Sequence, residues 1–299
     1  MYNTNSNTAT GFNPFLQLDL AEKWILVSIM CFISTIATTV YLHRHKTHNA
    51  LKLNRVVGNF FQLILWLNTG VKRALWVIIH KQHHKYSDQG EDLHSPKNPI
   101  RVLGLKFRGP IVPILKYFVL YKPVKNQKTK TKMDFVMRDE GFISKNIYHK
   151  LSWLGPIILL SSYLFLFGFD GIWMFFIQFL YLPVVAGGLI NGFGHGSKKS
   201  HDETRDYSNN LLGFINKLPK PIYYGLYPVW FCLRMAIDLM TGGEWRHYAH
   251  HFKLNSAKIT LKKFEIDTGW IVVYMLFFLR LANHVKYYSQ GQMKELNFS

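Results

Sequence analysis

The chain has 299 residues, with 36 lysines and arginines against 17 aspartates and glutamates, and its mean hydropathy is +0.01. A hydrophobic content of 48% excludes a disordered chain, 21 glycines exclude a collagen-like chain, and two cysteines exclude a disulfide-stapled fold. A net charge of +19 at near-zero hydropathy requires long apolar segments that offset the lysines.

The first such segment runs from Trp24 to Leu42 and contains 19 residues without a charge. At the helical rise of about 1.5 Å per residue, it matches a hydrocarbon core of about 30 Å. Two more apolar segments are separated only by Asp170, and they predict a helical hairpin with a very short turn. We therefore predict membrane spans over residues 24–42, 151–169 and 171–190.

A weaker apolar segment, residues 56–79, is interrupted by Lys72 and Arg73. Charges at mid-depth in a bilayer are costly, so we predict an interfacial or partly embedded helix there. The lysine-rich regions are 43–150 and 191–299, and the positive-inside rule places both on the cytoplasmic side. A lysine run in the first region reads as a solvated loop or as a patch for anionic lipid or an electron donor: Lys122, Lys125, Lys128, Lys130 and Lys132.

The predicted architecture is a single membrane domain over residues 1–299. It is all-α, with three to four transmembrane helices and a cytoplasmic helical cap. Nucleic-acid binding has no motif in its support.

Histidines cluster where the apolar segments meet the predicted cytoplasmic side. Positions i, i+3 and i+4 share a helix face, so each H-x-x-H-H pattern presents convergent imidazoles, and an H-x4-H pair converges at a helix end or tight turn. Neutral imidazole binds iron, copper, nickel and zinc. Nine histidines exceed the needs of one metal ion, so two metals are predicted. The patterns are His43/His48, His80/His83/His84, Asn191/His195 and His247/His250/His251.

The other histidines are interpreted differently. His149, His201 and His284 are assigned as interfacial or core residues, and His45 as solvent-facing or supporting rather than metal-binding. A histidine-rich chelating surface is disfavoured as an explanation of these nine histidines. Such surfaces come from contiguous tracts, whereas the nine histidines are spread over some 200 residues.

These motifs resemble the histidine boxes of the integral-membrane fatty acid desaturases of the acyl-CoA or stearoyl type, and the first box is most similar to a bacterial branch. The surroundings match as well: Asp88 and Asp92-Leu93-His94-Ser95-Pro96 follow the second box, and the tail segment 264–270 reads Phe-Glu-Ile-Asp-Thr-Gly-Trp. The resemblance covers residues 15–286.

The resemblance implies two Fe ions bound by the nine histidines, with Asn191 acting through a bound water. It implies a reaction in which O2 and two external electrons introduce a cis double bond, of the Δ9 type, into an acyl chain. The electron donor is ferredoxin-like or cytochrome-like, and the substrate is acyl-CoA, acyl carrier protein-bound or a membrane lipid. The location implied is a bacterial inner membrane with the site facing the cytoplasm. Asp88, Asp92 and Glu244 are candidates for orienting the metal-binding imidazoles.

Three departures from the family pattern concern the substrate more than the metal site. Tyr248 stands at an Asn position, Lys253 replaces a common Pro, and the chain is some 20 residues longer between Asn210 and Gly242. Two alternatives stay open: a related histidine-box hydroxylase or ketolase acting on a lipid, and a membrane metal transporter, which would place histidines within its spans.

Overall fold

The computed structural model describes residues 14–120, 127–138, 140–193, 219–260 and 266–298. Helices predominate, as the sequence predicts. The ten α-helices of these residues are α1 (Leu20–Ile36), α2 (Arg55–Thr69), α3 (Arg73–Lys85), α4 (Ile111–Leu120), α5 (Gln127–Met137), α6 (Leu154–Phe167), α7 (Asp170–Leu182), α8 (Lys220–Thr241), α9 (His247–Phe252) and α10 (Thr268–Phe278).

Wider, π-helical turns extend two of these helices. They continue α1 over Ala37–Thr47 and α7 over Pro183–Phe193, and a third π-helical stretch covers Ser144–His149. Two helices are consequently long and apolar enough to cross a membrane, Leu20–Thr47 and Asp170–Gly192. The segment predicted as the span 151–169 contains the shorter apolar helix α6.

Short strands also occur, which the all-α prediction omits. They are β1 (Lys52–Leu53), β2 (Ile100–Val102), β3 (Leu105–Phe107), β4 (Ala282–Asn283), β5 (Val285–Ser289) and β6 (Gln292–Leu296). They form three antiparallel pairs, β1 with β4, β2 with β3, and β5 with β6. Between β5 and β6, Gln290 and Gly291 both have positive φ angles (51° and 81°), as a tight hairpin turn requires.

Glycines set the positions where helices end or touch. At Gly70, φ is 59° and an added Cβ would lie 2.7 Å from the Ser152 carbonyl oxygen, so the segment 56–79 is divided into α2 and α3. At the tip of the predicted hairpin, Gly168 has φ 61°. A Cβ on Gly171 would lie 2.3 Å from the Tyr163 carbonyl oxygen, so only glycine lets α6 and α7 meet this closely.

Buried polar side chains connect the apolar helices. Asn68 of α2 donates to the Ser34 hydroxyl of α1 over 2.7 Å and accepts from Gln178 of α7. Gln178 in turn accepts from the Tyr163 hydroxyl of α6 over 2.6 Å. Because these atoms are shielded from water, each bond fixes the relative position of two helices.

The two long helices start at the same end of the molecule and run parallel. The Lys23 amine lies 2.7 Å from the Asp170 carboxylate, and the Trp24 and Trp173 rings pair with centroids 5.0 Å apart. Asp19 caps α1 and exchanges hydrogen bonds with Glu22 there. The far ends of both long helices therefore lie together, and the histidine motifs follow there.

Candidate metal centre

Five histidines from three parts of the chain converge on one point. His43 and His48 lie at the end of the first long helix, His80 and His84 on α3, and His250 on α9; their ligand atoms lie within 4.8 Å of one another. The Nε2 atom of His250 is 2.8 Å from that of His43 and 3.1 Å from those of His48 and His84.

Three histidines form a second group beside the first, namely His83 on α3 with His247 and His251 on α9. The Nε2 atoms of His83 and His247 are 3.3 Å apart. The two groups adjoin, because the His84 and His251 rings have centroids 4.4 Å apart. The structure therefore brings together eight of the nine histidines singled out in the sequence.

The ninth, His195, lies outside the described residues, as do His201 and, in the lysine run, Lys122 and Lys125. Asn191 is described, at the end of the second long helix. Its amide nitrogen donates to the Ala186 carbonyl over 2.9 Å, and its Oδ1 atom is buried and accepts no hydrogen bond from a described residue. That oxygen is available to a bound water, so the role assigned to Asn191 stays a prediction.

The wide turns at the end of the first long helix explain how His43 and His48 converge. The His48 amide donates to the His43 carbonyl over 3.1 Å, which is an i to i+5 bond. In an α-helix, residues five apart point in different directions, whereas a π-helical turn brings them to one face. The H-x4-H pair therefore needs this widened turn.

The spacing of the imidazole nitrogens fits a metal ion. Ligand nitrogens lie about 2.1 Å from such an ion, so neighbouring ligands at right angles are about 3 Å apart. The shortest separations run from 2.8 to 3.3 Å, and all ligand atoms within a group lie within 4.8 Å of one another. Imidazoles this close without a metal would direct several lone pairs at one another, so each of the two groups could hold a metal ion.

Two buried carboxylates fix the tautomers of the ligands. Glu244 Oε1 accepts from His43 Nδ1 over 2.8 Å, and Asp92 accepts from His83 Nδ1 over 2.9 Å. With a proton on Nδ1, the Nε2 lone pair of each ring faces the site. The hydrogen bonds that an orienting role requires are present for Glu244 and Asp92, and the role itself stays a prediction. Asp88 supports the loop, since its amide donates to Asp92 and its carboxylate accepts from Ser95, and its orienting role stays a prediction.

The electrostatics keep the acid charged and the imidazoles neutral. Burial raises the pKa of Glu244, but the neighbouring His43 and Arg44, with a hydrogen bond from Thr39, outweigh burial and hold the pKa below its usual value. Burial, reinforced by the surrounding imidazoles, lowers the pKa of His48 to about 2 and that of His80 and His250 well below its usual value. At neutral pH these rings therefore keep a lone pair for a metal.

Arg44 is the residue that the sequence reading missed. Its side chain is almost fully buried, and its Nη2 atom lies 2.7 Å from Asp267 and 3.6 Å from Glu244. Asp267 also accepts from the backbone amides of Ile259 and Trp270, where it caps α10. The tail segment therefore holds Arg44, which lies beside the carboxylate that orients His43.

The remaining described histidines belong to neither group. His45 Nδ1 lies 3.0 Å from the Leu51 carbonyl oxygen, and His284 Nδ1 lies 3.1 Å from Glu295. His149 lies at the end of the third π-helical stretch and is half-buried.

Comparison with known proteins agrees with this arrangement. The family model described as fatty acid desaturase matches residues 22–255. An acyl-CoA C20 Delta5-desaturase of Anemone leveillei is 23% identical over 282 residues, which cover 92% of this chain and 77% of that protein. A hex-5-enoyl-[acyl-carrier protein] acetylenase of Moorena producens (strain JHB) is 27% identical over 93% of this chain and 81% of its own length. An sn-1 stearoyl-lipid 9-desaturase of Synechocystis sp. (strain ATCC 27184 / PCC 6803 / Kazusa) is 22% identical over 91% and 74%.

Proposed function

The chain belongs to the fatty acid desaturase family, and on this premise we propose that it is a di-iron membrane enzyme that introduces a cis double bond, of the Δ9 type, into a saturated acyl chain. That it is an O2-dependent desaturase follows from the family and its named relatives. The main observation in support of the proposal is the pair of adjoining histidine groups, one of five residues and one of three.

The residues that would hold the irons follow from the two groups. The five-histidine group would hold one ion. His83, His247 and His251, completed by His195 and by Asn191 through a water, would hold the other. When bound, the iron pair supplies the activation of O2. Glu244 and Asp92 keep the ring protons on Nδ1 of His43 and His83, so that these rings remain ligands through turnover.

The exposed side chains support a position in the membrane. Along α1, Trp24 is 48% and Ile29 51% exposed, and Phe165 of α6 and Phe176 of α7 are at least half exposed. Outward-facing apolar side chains of this size are typical of lipid contact. The two long helices run in the same direction, so their far ends, where His43 and Asn191 lie, belong to one membrane face. The excess of lysine and arginine supports a cytoplasmic position for that face, and a bacterial inner membrane is the location that the family resemblance favours.

A small cavity of about 10 Å³ lies beside the histidine groups, and it is too small to hold an acyl chain. Tyr41 and Leu42, which immediately precede His43, line it together with Leu65, Trp66 and Val71.

A polar cavity of about 880 Å³ shares Tyr41 and Gln62 with this small one. Lys52, Arg55 and Lys286 line it, and they form none of the ion pairs found in the described part of the chain. Cations in this position suit an anionic head group on the acyl chain. Coenzyme A, acyl carrier protein and phospholipid head groups share this chemistry, and relatives are named for each of the three substrate types.

Expression in a bacterial host that lacks its own desaturase tests the proposal. We expect a new cis-monounsaturated fatty acid, with its double bond at Δ9 by lipid mass spectrometry, only when O2 is present. A hydroxylated or oxo product would instead identify the histidine-box hydroxylase or ketolase, because the same oxidant can deliver oxygen rather than remove a second hydrogen. A His83→Ala variant, expressed to the same level, is the matched control and should give the host's fatty acid profile.

A further inference from the structure

A basic groove opens directly onto one of the metal-binding histidines. It lies between the end of α9 and the β5–β6 hairpin and encloses about 590 Å³. His251 lines its floor, and Phe252, Lys253, Lys286, Met293 and Lys294 form its sides. His251 is the member of the second histidine group that is not fully buried.

The groove combines an apolar centre with a cationic rim. Phe252 is 54% and Met293 47% exposed. Lys253 is held in place, because its amine lies 4.4 Å from the Phe252 ring centroid and 4.5 Å from that of Tyr288. Among the described residues, one carboxylate lines the groove, that of Glu295, and it lies 3.1 Å from His284.

Exposed apolar side chains surrounded by like charges are typical of a surface that binds another protein. The three lysines select a partner whose contact surface is acidic, and such complementarity speeds encounter more than it strengthens binding.

Desaturation requires such a partner. A saturated acyl chain gives up two hydrogens, and with two protons and two further electrons these reduce O2 to two molecules of water. The two electrons come from a donor, and the two cysteines of this chain are too few to ligate an iron–sulfur cluster. A reduced one-electron carrier loses one electron in each encounter, so two encounters complete the balance.

We propose, on the basis of the desaturase function proposed above, that this groove docks a small acidic one-electron carrier protein of the ferredoxin type. A carrier seated there contacts the ring of His251, itself a ligand of the second group. Another basic groove in the described part of the chain, lined by Lys81, Lys85 and Lys132 between α3 and α5, lies on the face of α3 opposite the ligands. A carrier there would be separated from them by the width of a helix, about 10–12 Å. The direct route favours the His251 groove.

Charge reversal in the groove tests this proposal. The variant is Lys253→Glu/Lys294→Glu, and the matched control is Lys130→Glu/Lys132→Glu on α5, which changes net charge equally. The probe is an acidic plant-type [2Fe–2S] ferredoxin added to the iron-loaded protein in detergent micelles. Fluorescence anisotropy gives the Kd for oxidised ferredoxin, and anaerobic stopped-flow absorbance gives the rate at which reduced ferredoxin is oxidised.

We expect the groove variant to raise the Kd about tenfold, to slow ferredoxin oxidation by a similar factor, and to reduce the dependence of both on ionic strength. The control pair should change each by less than about twofold. Unchanged iron content shows that a variant is intact. If the double variant loses iron, the single exposed change Lys294→Glu is used for the test. It should change the ferredoxin Kd and the oxidation rate in the same direction by a smaller factor.

The proposal is overturned if wild-type protein does not bind ferredoxin, if the α5 pair weakens binding as much as the groove pair, or if the groove pair raises the KM of the acyl substrate and leaves the ferredoxin Kd unchanged. Its failure is distinct from failure of the desaturase function. Ferredoxin oxidation without an unsaturated product would contradict the desaturase and leave the docking site standing.

Discussion

Replacing His250 with alanine should abolish desaturation and remove bound iron from the five-histidine group. The Nε2 atom of His250 lies within 3.1 Å of the Nε2 atoms of three other ligands, more than any other member of the group. Its loss therefore removes the ligand around which the others are arranged. We expect no unsaturated product above the host background, and iron content reduced from two ions per chain to one or none.

The control for this variant is His284→Ala, which removes an imidazole that belongs to neither group. Its iron content should equal that of the wild type. If the His250→Ala protein keeps two irons and forms product at the normal rate, His250 is not a ligand and the grouping is wrong.

Replacing Arg44 with methionine should destabilise the protein by about 3–5 kcal/mol, because it leaves the buried Asp267 carboxylate without its ion-pair partner. Differential scanning fluorimetry of the purified protein measures the loss as a lower Tm. Arg44→Lys should recover part of the loss, since lysine restores a charge and not the planar fork of donors. Iron content should fall with Tm, because Glu244, which orients His43, lies beside the same guanidinium.

A milder variant separates the position of Arg44 from its charge. A Cβ on Gly269 would lie 2.7 Å from Nη1 and 2.8 Å from the central carbon of the guanidinium. Gly269→Ala should therefore shift Arg44 without removing it, and both Tm and iron content should fall less than in Arg44→Met. A wild-type Tm and iron content in both variants would show that Arg44 is not what holds this end of the site.

The histidine motifs could be predicted from sequence because their chemistry depends on short spacings. His80, His83 and His84 share one face of any helix, so their convergence needs no knowledge of the rest of the fold. His250 of α9 meets His43, which lies 207 positions away in the chain. No local spacing predicts this contact, and it could be inferred only because nine histidines imply two metal ions that share ligands from several motifs.

Other features depend on long-range contacts that leave no periodic signal. The partner of Arg44, Asp267, lies 223 residues away, and a buried arginine in a histidine-rich segment looks like one more basic residue. The π-helical turns are not encoded by a residue pattern, and α6 is shorter than its apolar segment. The β5–β6 hairpin does have a local signal, a Gln-Gly turn between a Tyr-rich and a Met-containing strand, but its strands lie outside the long apolar segments.

Metal analysis of the wild-type protein tests the central claim most directly. Purified in detergent after expression in iron-supplemented medium, the protein should contain two iron ions per chain by inductively coupled plasma mass spectrometry. One iron or none, with full recovery of folded protein, would contradict the existence of two adjoining histidine sites.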